Sequence, residues 1–155
     1  MRGLAMVIAL ARPFRVRHHE NWGIVRNKAA FSSGETIHLA PTYDHASSLG
    51  RDLSDEQRPH RSVEAYAHKC FSAFYGSVSD KKPLKTFDVF DCVAHRYPEA
   101  AQIWLKRLLS ISRENTLDSF SRIPNNRISD IAIEFAQKIL EFNRFRLLTL
   151  RELLP

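Results

Sequence analysis

A chain of 155 residues suits one globular domain rather than two of ordinary size, and an apolar content of 44% is enough to build a buried core. The formal charge of +6 excludes an acidic, solvating chain, but it is unevenly placed: residues 1–30 carry Arg2, Arg12, Arg15, Arg17, Arg26 and Lys28 against Glu20, a net of +5, so the rest of the chain holds only +1. A broad basic surface for nucleic acid is therefore not indicated, and the basic end reads either as an attractor of phosphates or as an arginine-rich, poorly ordered terminus.

The chain opens with Met1-Arg2-Gly3 and an apolar run from Leu4 to Ala11. That run is too short for a signal peptide, which takes about 15–30 residues, and for a bilayer span, which takes about 20 apolar ones. It reads as the remnant of a buried helix, and no membrane association is expected. Cys70 and Cys92 lack a CxxC spacing or further cysteine partners, which suits free thiols in a reducing cytoplasm. Two short extended pieces follow, Gly23–Arg26 and Glu35–Leu39, around the turn-forming Ser32-Ser33-Gly34. A small β-hairpin is expected, with Asn21 just before its first strand and Asp44 just after its second, at the same end.

From Ser54 the pattern turns helical, weakly at first over Val63–Phe74, and Ser77–Pro83 reads as an exposed loop. Thr86 is the expected N-cap of a helix with Phe87, Phe90, Val93, Ala94 and Tyr97 on one face. Pro98 interrupts that helix and opens the next, since proline at a first helical position has no amide to lose. The second helix should turn Ala101, Trp104, Leu105, Leu108 and Ile111 inward. A short helix after Thr116, with Leu117 and Phe120 inward, is closed by Ile123-Pro124. The last helix, about Ser129 to Leu150, repeats Ile128, Ile131, Phe135, Ile139, Phe142, Phe145 and Leu148 at spacings of three and four, a single buried stripe.

Two segments carry candidate chemistry: Val16-Arg17-His18-His19-Glu20-Asn21-Trp22-Gly23 and Leu39-Ala40-Pro41-Thr42-Tyr43-Asp44. Phosphoryl transfer needs a base for the attacking hydroxyl and oxygen ligands for magnesium, and kinase-like folds distribute these over two successive loops. The first segment resembles the Asp-x-His-x-x-Asn catalytic loop of HipA-like serine/threonine kinases at His18 and Asn21; the second is similar to their Leu-Ala-Pro-x-Tyr-Asp metal loop at Leu39, Ala40, Pro41, Tyr43 and Asp44. The likeness extends through Ser47-Ser48-Leu49-Gly50 and Ser72-Ala73-Phe74-Tyr75-Gly76, covering roughly residues 16–150.

This resemblance implies a mainly α fold, the helical C-terminal lobe of a protein-kinase-like fold with a short β-hairpin near its N-terminus, over residues 16–155 behind a non-matching apolar and basic leader, 1–15. It implies ATP and magnesium as cofactors, Asn21 and Asp44 as magnesium ligands within the nucleotide site, and His18 as support for the catalytic loop. It also implies a protein substrate or an antitoxin partner, and self-association through an exposed lobe interface. Two departures set the expected activity low. Val16 stands where the family has its catalytic aspartate, and losing a general base costs about 10²–10⁴ in rate. The glycines at positions 3, 23, 34, 50 and 76 form no phosphate-cradling loop, and fifteen residues leave no room upstream for a nucleotide-binding lobe. A truncated, inactive kinase lobe is expected, arising from a gene fragment or a frameshift. The alternative is a non-enzymatic interaction module that binds a phosphate-rich or acidic partner through its basic N-terminal end. A zinc site from His18, His19, His38 and His45 lacks any recognised ligand spacing, and a hydrolase triad of Ser47 or Ser48 with His18 and Asp44 lacks a nucleophile-elbow sequence.

Overall fold

The computed structural model describes residues 24–27, 36–39, 49–72 and 74–154 and is mainly helical. Strands β1 (Ile24–Asn27) and β2 (Thr36–Leu39) pair antiparallel, with Ile24 opposite Leu39 and Asn27 opposite Thr36. A single 3-10 turn, Arg58–His60, then leads into α1 (Val63–His68), whose N-cap Ser62 accepts a hydrogen bond from the Ala65 amide. This helix is shorter than the Val63–Phe74 pattern suggests. Its continuation is taken into extended pairing instead: the Ser72 amide donates to the Leu84 carbonyl, the Leu84 amide to Phe74 and the Thr86 amide to Cys70, with Phe71 bridged to Lys85.

Helix α2 (Thr86–Arg96) begins one residue earlier than expected, with Thr86 inside it and Lys85, the last residue of that extended pairing, as N-cap. Phe87, Phe90 and Ala94 face the core as the periodicity predicts, while Val93 and Tyr97 lie exposed. Pro98 opens α3 (Pro98–Leu109) at its first turn, and Ala101, Leu105 and Leu108 are buried. Helix α4 (Arg113–Ser121) is set by a capping box in which the Ser112 side chain accepts from the Asn115 amide and the Asn115 side chain accepts from the Ser112 amide. Thr116 is its buried residue, and Leu117, expected inward, is exposed.

Helix α5 (Asp130–Arg151), capped by Ser129, is the axis of the fold. Its buried face is broader than the predicted stripe: Phe135 and Ile139 are buried, but so are Ala136, Gln137, Leu140, Asn143, Leu147 and Leu150, whereas Ile131 and Phe145 are exposed. The physical reason is that α5 packs against α1 on one side and α3 on another, so a single ridge cannot serve both. Near its start Phe135 and Ile139 meet Tyr66 of α1, the Tyr66 and Phe135 rings edge to face at 5.5 Å. Further along, Leu140 and Leu147 join Leu105 and Leu108 of α3. Gly50 closes over the first cluster with φ of +81°, and a Cβ there would lie 2.7 Å from the Phe135 ring, so glycine is required twice over. Among the described residues no helix is long and apolar enough to cross a membrane.

Candidate functional site

Val16, His18, Asn21 and Asp44 lie outside the described residues. What the described strands fix is the frame that carries them. Because Ile24 is opposite Leu39, the chain enters β1 and leaves β2 at one end of the ladder. In the sequence, Asn21 comes three residues before Ile24 and Asp44 five residues after Leu39.

Five residues past Asp44 the described chain resumes at Leu49 and forms one wall of a cleft of about 680 Å³. The other walls are Phe120 near the end of α4, the 125–128 turn, and the first turns of α5 at Ser129, Ala132 and Ala136. Three guanidinium groups line it, from Arg51, Arg58 and Arg127, against one carboxylate, Asp55. Arg58 is not free to serve a ligand: its Nη1 is ion-paired with Asp55, and its Nη2 donates to the Gly50 carbonyl at 3.1 Å. Asp55 in turn accepts from the Ser129 hydroxyl at 2.8 Å. This chain of contacts ties the segment after the second loop to the N-terminus of α5. Arg51 and Arg127 are exposed and make no ion pair among the described residues, so the cleft presents a net positive, solvent-facing rim.

These arginines were invisible to pattern reading, because they come from two segments far apart in the chain and follow no periodicity. Behind the cleft, Tyr66 is fully buried and its hydroxyl donates to Asp52 at 2.5 Å; burial first, then that bond and the carboxylate's charge, push the phenol above its ordinary value. The phenol is held neutral, a structural donor with no basic character to offer. Among the described residues no group of three or more His, Cys, Asp and Glu side chains is placed to hold a metal ion. Comparison with protein-family models, with curated proteins and with solved structures finds no match to this chain.

Proposed function

We propose that this chain is the helix-rich C-terminal lobe of a HipA-like serine/threonine kinase, keeping weak magnesium-dependent affinity for nucleotide phosphates but not phosphoryl transfer. The observation that carries the reading is the strand register. With Ile24 opposite Leu39, the chain enters β1 and leaves β2 at one end of the ladder, and the two motif-like segments are the stretches of sequence that lead into β1 and out of β2, which supports reading them as a shared magnesium site. The donor set is chemically suitable: Asn21 and Asp44 offer an amide oxygen and a carboxylate, hard oxygen ligands of the kind magnesium takes alongside water and phosphate. His18 would brace the first loop. Val16 has no atom that can accept a proton or orient a hydroxyl, so a bound nucleotide would meet no general base. The partner on this reading is a protein, a former substrate or an antitoxin, and the site of action is the cytoplasm.

The concentration of positive charge in residues 1–30 supports a second reading, a non-enzymatic module that binds a phosphate-rich or acidic partner. Calorimetric titration of the full chain with ATP, with and without magnesium, separates the two. The kinase-lobe reading expects binding that needs magnesium and disappears in Asp44→Ala. Absence of binding, or identical binding by wild type and Asp44→Ala, overturns it. Salt-sensitive binding that is indifferent to magnesium and survives Asp44→Ala is the signature of the second.

A further inference from the structure

A second polar feature lies away from the cleft, where α1, the start of α2 and the later part of α5 meet. A niche of about 10 Å³ opens there, lined by His68, Lys85, Asn143 and Arg146 together with Cys70 and Phe87. Its volume matches roughly one oxygen atom with its hydrogens. Asn143 is 5% exposed, and its Nδ2 has no hydrogen-bond partner among the described residues. A buried amide donor left unpaired costs about 1–3 kcal/mol, so something that accepts a hydrogen bond belongs beside it.

The surroundings say what kind of acceptor. Arg146 has its guanidinium carbon 4.1 Å from the centre of the Phe87 ring and 5.6 Å from that of Phe142, and it makes no ion pair or hydrogen bond among the described residues. The rings hold the cation in place without neutralising it. Lys85 is the N-cap of α2, a helix without a side-chain cap whose first turn carries Asp88 and whose first amide is taken by the Cys70 carbonyl, so the positive charge here comes from the side-chain cations and not from the helix end. His68 adds an imidazole N–H, its Nε2 4.0 Å from Glu64. No carboxylate lines the niche; Asp88 and Glu64 act on Arg146 only through their charge. Cys70 is a neutral neighbour, its thiol pushed up to about 12 by burial.

We propose that this niche binds a phosphate group, one oxygen entering toward Asn143 Nδ2 and the other three facing Arg146, Lys85 and His68. Four donor-bearing side chains match four oxygens, and two permanent cations match a dianion; a carboxylate would leave two of the donors unused. A water molecule could satisfy Asn143 but would leave Arg146 and Lys85 without an anion. The proposal does not depend on the magnesium site: a phosphate held here needs no metal and is indifferent to Asp44→Ala.

Titration of the full chain, followed by amide NMR shifts at constant ionic strength, tests it with sodium phosphate, O-phosphoserine, sodium acetate and sodium chloride. Saturable shifts around α1 and the start of α2 with phosphate, and none with acetate or chloride, are expected. Phosphoserine binding as well as inorganic phosphate identifies a monoester as the source; weaker binding identifies the free ion. Lys85→Met should weaken phosphate about tenfold, the effect of one charge-assisted hydrogen bond, while Lys106→Met on exposed α3 should change nothing. Asn143→Asp, which puts a carboxylate where the anion's oxygen would sit, should abolish binding. Absence of saturation with phosphate, equal shifts with acetate or chloride, or unchanged affinity in Lys85→Met would overturn the proposal, whether or not Asn143→Asp folds.

Discussion

Arg58 and Arg146 stand at opposite ends of α5 and use the same guanidinium group in opposite ways. Near the N-terminus of the helix, Arg58 has two acceptors for its terminal nitrogens, Asp55, which also takes the Ser129 hydroxyl, and the Gly50 carbonyl, while its Nε is buried without a partner among the described residues. Its side chain is only 11% exposed, and it works as a staple between the 50–58 segment and the helix cap. Toward the C-terminus, Arg146 is held by the faces of Phe87 and Phe142 and keeps its hydrogen-bonding capacity unspent. Burial pulls its pKa below the ordinary value, with the nearby Cys70, Asp88 and Glu64 opposing that change. A cation matched within the fold is structure; a cation fixed by rings alone is available for a ligand. The difference lies in the partners, since both arginines are partly buried and both border a cavity.

The largest expected effect tests how far the stapled end depends on its apolar floor. Phe135 packs against Tyr66, Ile139, Leu49 and Leu53, with Gly50 directly above its ring. Phe135→Ala should cost about 3–5 kcal/mol in urea unfolding, the usual loss for a buried aromatic ring and the cavity it leaves. The phosphate niche draws on α2 and the later turns of α5, so a variant that remains folded should retain its phosphate-induced shifts. Loss of those shifts in a folded Phe135→Ala protein would show that the two ends are one cooperative unit and would break the comparison.

Raising the pH separates the ends by a different means. Cys70, at the Arg146 end, has its pKa raised from the ordinary 9.0 to about 12 by burial, with Arg146 acting in the opposite direction. A thiol whose folded pKa is raised contributes stability that is fully present below pH 9 and is lost as pH climbs from 9 toward about 12. Over that window the loss should approach about 1.4 kcal/mol per pH unit in chemical denaturation. Tyr66, at the Arg58 end, is also raised, from 10.0, so its contribution begins to fall only above pH 10. Cys70→Ala should remove the decline between pH 9 and 10 and make the decline above pH 10 shallower, leaving there only the Tyr66 share. A decline unchanged by Cys70→Ala would assign it elsewhere.

The helices and their order were legible in the sequence because each is marked by a physical stop or start that acts locally. Pro98 both ends one helix and begins the next, Ser129 opens the last, and Phe135 and Ile139 fall on a 3.6-residue period, whereas the short helix expected after Thr116 begins earlier, at Arg113 behind its Ser112 cap. What periodicity missed depends on neighbours distant in the chain. Thr86, expected as the cap, lies inside its helix, because Lys85 before it is held extended by pairing with Phe71, fourteen residues earlier. Phe145 fits the apolar stripe yet is 70% exposed, and the less apolar Asn143 is buried in its place, because α5 packs against α1, α3, α4 and the 3-10 turn around it. The two polar cavities were hidden for the same reason: each gathers residues from three segments, and no spacing rule connects Arg51 with Arg127 or Lys85 with Asn143.

The sharpest test of the contrast exchanges each arginine for methionine, which keeps much of the aliphatic length and removes the charge. At Arg58 the change removes one of the two donors to the Gly50 carbonyl, which keeps the Leu53 amide, and leaves Asp55 with only Ser129, so about 1–3 kcal/mol of stability should be lost. The deficit should shrink when Asp55→Asn is already present, because the paired carboxylate has then gone. At Arg146 there is no ion pair to break among the described residues, and a thioether against Phe87 and Phe142 makes favourable contacts of its own. Arg146→Met should therefore cost less than about 1 kcal/mol, roughly the worth of one exposed cation–π contact, while phosphate binding falls. Equal losses of stability at the two positions, measured by urea unfolding at neutral pH, would mean that Arg146 is as structural as Arg58. Its unspent donors would then need an acceptor within the fold instead of one from outside.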